Sequence, residues 1–295
     1  MEIVDGHFHL WTPETHPWVG RVKDGGHPAG KFDKIQHYMM EEYGSDCAGH
    51  NVTKSVHVQC FYEGKPQDET RWLQNIADTI PNGVPHGIVG YCDLTTDNVE
   101  VTLQEHCKYA NMRGIRQLLN YHPDKPHYSE VNSDNYLTNP KWLEGLSLCG
   151  KHNLSFDIHI LPRQMATAYD VVKKFPNMQF ILDHCGLPYE KEDEARKLWK
   201  EGMTRLGQCD NITVKLSGGF ATDPKWTHQS AVEVVKDTVQ CFGPKKSMFA
   251  SNFPVDKVNG TFSEWVKVVT DSISGYTKEE QQMIMAGNAT KVYRL

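Results

Sequence analysis

The 295-residue sequence predicts one α/β domain, a single (β/α)8 barrel of the TIM type spanning residues 1–295. Three observations carry the prediction. Eight short apolar runs alternate with stretches of helical periodicity. The residues after the first run, Asp5-Gly6-His7-Phe8-His9, are not the glycine-rich phosphate turn that often opens a doubly wound sheet. No linker-like composition, low-complexity segment or repeat divides the chain.

In order, the strand-like runs are Ile3–His9, Lys54–Gln59, Gly87–Cys92, Met112–Leu119, Leu154–Ile160, Gln179–Asp183, Thr213–Leu216 and Ser247–Ala250. Between them, Gln67–Ile80 places Trp72, Leu73, Ile76 and Ala77 at helical spacing. Val99–Ala110 starts after Asp97, a candidate cap. Trp142–His152 follows Asn139-Pro140, a cap with proline at the first helical position. Pro162–Phe175, Glu192–Leu206 and Ser230–Phe242 continue the series, and Phe262–Ser274 and Lys278–Ala289 close it, adding an extra C-terminal helix. The long links Leu10–Gly30 and His122–Pro140 both follow strands. They are expected on the C-terminal rim of the barrel, where barrel active sites are built.

Composition narrows the function. Lys and Arg total 31 against 37 Asp and Glu, a formal charge of -6 without a basic run, so nucleic acid is not an expected partner. No stretch approaches the roughly 18 apolar residues of a membrane span. The residues Met1–Asp5 do not open a signal peptide. Eight cysteines without a C-x-x-C spacing read as free thiols, which together with the other features predicts a cytoplasmic protein. Five N-x-S/T sequons are then chance matches.

Fifteen histidines are the unusual count, and several fall at strand ends. Asp5, His7 and His9 share one parity on the first strand, so two imidazoles point the same way. Ser155, Asp157 and His159 are in register on the fifth, with apolar residues between them. Polar groups inside a barrel are costly unless paired or functional. His57 and Gln59 share a register on the second strand, the fourth carries Arg113 and Arg116, and the sixth ends Asp183-His184-Cys185-Gly186. Arg116 suits a substrate carboxylate or an ion pair with Asp157 or Asp183. The eighth run ends Ser251-Asn252-Phe253-Pro254-Val255-Asp256.

Together, Asp5-Gly6-His7-Phe8-His9-Leu10-Trp11, Val56-His57-Val58-Gln59, Glu69-Thr70-Arg71-Trp72-Leu73, Arg113-Gly114-Ile115-Arg116, Asp157-Ile158-His159, Asp183-His184-Cys185-Gly186-Leu187-Pro188, Val214-Lys215-Leu216-Ser217-Gly218 and the Asn252 turn resemble the amidohydrolase superfamily. The resemblance is to its branch of sugar-acid and dicarboxylate lactonases and related decarboxylases, and it covers almost the whole chain. It implies an amidohydrolase-like barrel with a water nucleophile and, in many members, one divalent metal. It places His7, His9 and His184 or His159 at the reaction centre, and Arg116 on a substrate carboxylate.

Where the family usually has Asp on the last strand, this chain has Asn252. An amide offers neither a base nor an anionic ligand, so Zn2+ held by His7, His9 and His184 is expected to be weakly bound or absent. The expected reaction is opening of a lactone. His7, His9, His184, Asn252, Asp157 and Asp183 form the catalytic set. Arg116, Arg113, His57, Gln59, His159, Trp11 and Asp256 contact the small-molecule substrate. The base is left among Asp157, Asp183, Asp256 and a neutral histidine. A non-oxidative decarboxylase and a non-catalytic sugar-acid binder are the alternatives. The sequence leaves the substrate and any homo-oligomer open.

Overall fold

The computed structural model describes residues 1–22 and 27–295. Among these, eight strands form one parallel sheet in chain order: β1 Ile3–Phe8, β2 Val52–Val58, β3 Gly87–Tyr91, β4 Met112–Leu118, β5 Ser155–His159, β6 Phe180–Leu182, β7 Ile212–Leu216 and β8 Ser247–Phe249. The sheet closes beyond β8. Phe8 bridges Phe253, the His9 N–H donates to the Phe253 carbonyl at 2.7 Å, and the Asn252 N–H donates to the His7 carbonyl at 2.7 Å. The sequence around Asn252 is therefore stitched directly to the His7–His9 segment.

The helices are α1 Met40–Asp46, α2 Pro66–Thr79, α3 Val99–His106, α4 Pro140–Lys151, α5 Met165–Lys174, α6 Asp193–Leu206, α7 Gly219–Thr222, α8 His228–Phe242, α9 Phe262–Ser272, α10 Lys278–Gln282 and α11 Asn288–Tyr293. Several start where their sequence dictates. The Asn139 side chain accepts from the Lys141 N–H ahead of Pro140, and Thr227 and Thr261 cap α8 and α9 in reciprocal boxes. Two expectations shift. Asp97 does not cap α3. Asn98 occupies that position, Asp97 pairs with Lys141 at 2.5 Å, and the helix ends at His106 rather than Ala110. The closing helix is three pieces, with a π-helical turn at Met283–Gly287 between α10 and α11.

Apart from the first residues of β2, the strands are largely buried on both faces, so the alternation decides what faces inward. Phe156, Ile158, Phe180, Leu182, Val214 and Leu216 pack outward on the helices. A separate apolar cluster, Val4, Val56, Val58, Val89, Ile181 and Met248, fills the interior and is closed by Ala286, Ala289, Val292 and Tyr293 of the C-terminal segment. That plug leaves the opposite, C-terminal end of the barrel for the polar groups. Among the described residues no helix is long and apolar enough to cross a membrane. All eight cysteines are free.

Candidate active site

At the C-terminal end, side chains from six strands or the turns after them stack in two levels. The lower level is ionic. Lys215 of β7, fully buried, pairs with Asp157 of β5 and lies 3.0 Å from Asp183 Oδ1 and 3.0 Å from His7 Nδ1. The Tyr293 hydroxyl, from the plug, donates to Asp157 Oδ2 at 2.7 Å. Arg116 Nη1 reaches Asp183 Oδ2 at 3.4 Å, and Nη2 donates to the Gln59 carbonyl. Burial would raise Asp183, but Lys215 and His7 outweigh it and hold its carboxyl well below the usual range. For Asp157 burial wins over Lys215 and raises it.

The upper level is a layer of imidazoles. His7 and His9 face each other, Nε2 to Nε2, at 3.2 Å. His184 lies 4.6 Å from His7 and 5.5 Å from His159 between ring centroids. Burial is the leading cause that pushes His7, His9 and His184 well below the ordinary histidine value, and it pushes His159 down to about 3. All four are neutral near pH 7.

Their outer nitrogens are anchored. His9 Nδ1 donates to the Val58 carbonyl at 2.7 Å, leaving a lone pair on Nε2. Asn120 Nδ2 donates to the Tyr128 carbonyl at 2.7 Å, so its Oδ1 faces His159 Nδ1 at 2.9 Å and accepts that proton. The lone pair of His159 is therefore also on Nε2. His184 Nδ1 lies 2.8 Å from Ser217 Oγ. His184 has φ 53°, and next to it only glycine fits at 218, where φ is 71° and a Cβ would stand 2.6 Å from His184 Cβ.

Asn252 and Asp256 are coupled rather than independent. Asn252, at φ 58°, donates from Nδ2 to Asp256 Oδ2 at 2.6 Å. The other oxygen of Asp256 accepts the N–H groups of Phe220 and Ala221 at 2.7 and 2.8 Å. Burial raises Asp256 to about 7. Asp5 is a brace of the same kind. It accepts from Ser251 N and Oγ, the Tyr43 hydroxyl and the His7 N–H, which holds the irregular register of β1 against the end of β8. Burial raises Asp5 to about 6.

Above these groups opens a cavity of about 430 Å3. His9, His159, His184, Arg116 and Asn252 form its polar floor, and Trp11, Trp18, Tyr128 and Tyr189 its aromatic walls. Arg116 keeps a buried Nε–H with no protein partner among the described residues. Both long links supply walls, Leu10–Gly30 through Trp11, Trp18 and His27, and His122–Pro140 through His127, Tyr128 and Glu130.

The sequence-predicted residues thus divide. His9, His159, His184, Arg116, Asn252 and Trp11 meet in the cavity, and His7, Asp157, Asp183 and Asp256 stand behind it. His57 and Gln59 do not face it, because Val56 and Val58 take the inward parity of β2. His57 packs edge-on against Phe8 instead, and Gln59 Oε1 accepts the Phe61 N–H. Arg113 does not reach the cavity either. It stands near the start of β4, where its guanidinium donates to the Ala110 and Met112 carbonyls at the far end of the barrel.

Sequence reasoning missed Tyr293, Asn120 and Glu130, and it quoted Lys215 and Ser217 only within the family motif, without a role. Lys215 had a signal, since one lysine inside the apolar run Ile212–Leu216 is buried on either face. Glu130 is the one carboxylate among the described cavity-lining residues, and burial raises it against the pull of Arg116.

One donor atom from each of His7, Asp183 and His184 lies within 4.8 Å of the others, and His9 Nε2 stands 3.2 Å from His7 Nε2. By chemistry this set fits a divalent ion. Arg116 and Lys215, both against His7, and the amide at position 252 lower the negative charge available to it.

A closed (β/α)8 barrel with an imidazole cluster at its C-terminal mouth defines a class of enzyme scaffold. The amidohydrolase family model matches residues 4–295, and the chain belongs to that family. It is 34% identical over 301 residues to the uncharacterized protein y4mH of Sinorhizobium fredii, covering 100% of this chain and 99% of that one. It is 22% identical over 306 residues to the L-fucono-1,5-lactonase of Burkholderia multivorans, covering 99% and 96%. A solved amidohydrolase from Burkholderia multivorans with bound zinc superposes with a TM-score of 0.82 at 19% identity, over all of both chains.

Proposed function

We propose that this protein is a lactonase that opens a sugar-acid or dicarboxylate lactone by attack of water. The observation that carries the reading is the cavity floor. Neutral imidazoles and one guanidinium with a free N–H converge below aromatic walls, in a space the size of a small molecule. The similarity to a named lactonase over the whole chain supports the same reaction class.

In the proposed mechanism the lactone ring lies against Trp11 and Trp18, with its carbonyl oxygen toward Arg116 Nε. Arg116 stabilises the oxyanion as it forms. His159 Nε2, held lone-pair outward by Asn120, accepts a proton from the attacking water. The tetrahedral intermediate collapses, the ring C–O bond breaks, and His159 returns the proton to the alkoxide. Asn252 Oδ1 accepts a hydrogen bond from the water or a substrate hydroxyl, since its Nδ2 is committed to Asp256. Glu130 accepts from substrate hydroxyls at the rim. Asp157, Asp183 and Lys215 position the floor and take no proton in turnover.

His7, Asp183 and His184, with His9 beside them, would hold a divalent ion, which would add Lewis-acid polarisation of the carbonyl. With no anionic oxygen at position 252, that ion is weakly held, and chelation lowers the rate less than about tenfold.

The test is acid release from a panel of aldonolactones and dicarboxylate lactones, with and without chelator. Saturable hydrolysis of at least one lactone in both conditions is expected. Absence of hydrolysis across the panel, with CO2 released from aromatic carboxylates instead, would replace the reading with a decarboxylase.

A further inference from the structure

A second group of metal-binding side chains lies at the cavity wall beside the His7 cluster, with Cys60 in the cavity lining. It joins three pieces of chain: the loop after β1, the end of β2 and the first turns of α2. Cys60 Sγ stands 3.7 Å from Glu69 Oε1, and His16 Nε2 stands 3.4 Å from the same oxygen. One donor atom from each of His16, Cys60 and Glu69 lies within 4.8 Å of the others, and the same holds for His9, His57 and Cys60. We propose that His16, Cys60 and Glu69 form a binding site for a zinc-class divalent cation.

The geometry has the right scale. Metal–ligand bonds of about 2.0–2.3 Å in a tetrahedron set neighbouring donors roughly 3.3–3.8 Å apart. The two measured distances to Glu69 fall in that range. His57, with a ring nitrogen within 4.8 Å of Cys60 Sγ, supplies a second sign. It is fully buried, yet neither ring nitrogen has a partner among the described residues. Buried polar atoms are rarely left so.

Charge points the same way. Glu69 is only 2% exposed, and its described partners are an imidazole, a thiol and the Cys60 backbone N–H, with no lysine or arginine among them. A divalent ion with one carboxylate and one thiolate is neutral, which removes the cost of that buried charge. One thiolate, one imidazole and one carboxylate are ligands zinc accepts. His16 is already oriented as ligands usually are, with Nδ1 2.9 Å from Thr15 Oγ1 and its ring against Tyr62 and Trp72.

Binding would displace the Cys60 proton to solvent, leaving a thiolate on the metal. The ion would act as a clamp. Trp18, a cavity wall, donates from Nε1 to the Cys60 carbonyl at 2.7 Å, so fixing Cys60 to His16 fixes both ends of the segment that carries Trp18.

The probe is Co2+ alone, titrated into the chelator-treated full-length protein. A thiolate-to-cobalt charge-transfer band in the near ultraviolet, saturating at one equivalent, is expected. Cys60→Ser should abolish the band. His184→Ala should keep it, because the His7 cluster contains no thiol. No band in the wild type, or a band that survives Cys60→Ser, overturns the proposal. If Cys60→Ser does not fold, X-ray absorption of the zinc-loaded wild type decides. One sulfur at about 2.3 Å supports the site, and a shell of nitrogen and oxygen alone overturns it.

Discussion

The two levels at the barrel mouth are built from similar residue types but hold them differently. In the lower level, Asp5, Asp157, Asp183 and Asp256 each meet hydrogen-bond donors or cations from other segments, and none lines the cavity. In the upper level, His159 is tied by one nitrogen and keeps the other open, while His9 is tied to the Val58 carbonyl and faces His7. A group held by cations and donors of the protein, away from the cavity, holds shape. A group with a spare lone pair facing a cavity can meet a substrate. The contrast assigns the carboxylates that look catalytic in the sequence to positioning, and the chemistry to neutral imidazoles.

The largest expected effect lies in the lower level. Lys215→Met leaves Asp157 and Asp183 buried without their shared cation. Removing one partner of a buried ion pair costs about 3–5 kcal/mol. Denaturant unfolding should show that loss in full. A change of under about 1 kcal/mol would mean the ionic level does not hold the fold.

A smaller effect is expected where the levels join. Asn252→Asp sets a carboxylate against Asp256, which now receives the Nδ2 hydrogen bond at 2.6 Å. The variant should lose about 1–3 kcal/mol at pH 8 and recover part of it at pH 5, as the pair shares a proton. Asn252→Asp combined with Asp256→Asn restores one donor facing one carboxylate and should regain most of the stability. A double variant no better than the single would show that the contact is incidental.

The smallest effect is on the acid side of the stability curve. His159 is pushed down to about 3 in the fold, against about 6.5 in the unfolded chain. Between those values the unfolded chain binds the extra proton. The stabilisation is therefore complete above about 6.5 and falls as pH drops toward 3. Asp5 and Asp256, raised to about 6 and about 7, act with the opposite sign. Their contribution is present below about 3.9 and is lost as pH rises through 6 to 7. In chelator, His159→Gln should flatten the fall between pH 6.5 and 4 by up to one bound proton, and an unchanged slope would show that His159 is solvated.

How far the sequence carried depends on what a strand's alternation can specify. In β5 the apolar residues Phe156 and Ile158 leave Asp157 and His159 only the inward face, and that reading holds. In β2, valines and polar residues alternate between two buried faces, so parity alone did not say which was inside, and His57 and Gln59 went outward. Lys215 was visible as a lone lysine in an apolar run, but its partners on β5 and β6 depend on barrel closure. Asn120, Tyr128 and Glu130 belong to a long loop whose path no local pattern encodes.

The most direct test of the division between the levels compares His159→Gln with Glu130→Gln on the best lactone substrate, alongside their unfolding midpoints. If an open imidazole is the base, His159→Gln keeps a wild-type midpoint at pH 8 and loses about 10²- to 10⁴-fold in kcat. Glu130→Gln then changes chiefly KM. If His159→Gln stays within tenfold of wild type while Glu130→Gln loses kcat, the base is a carboxylate and the assignment of chemistry to the imidazoles is wrong.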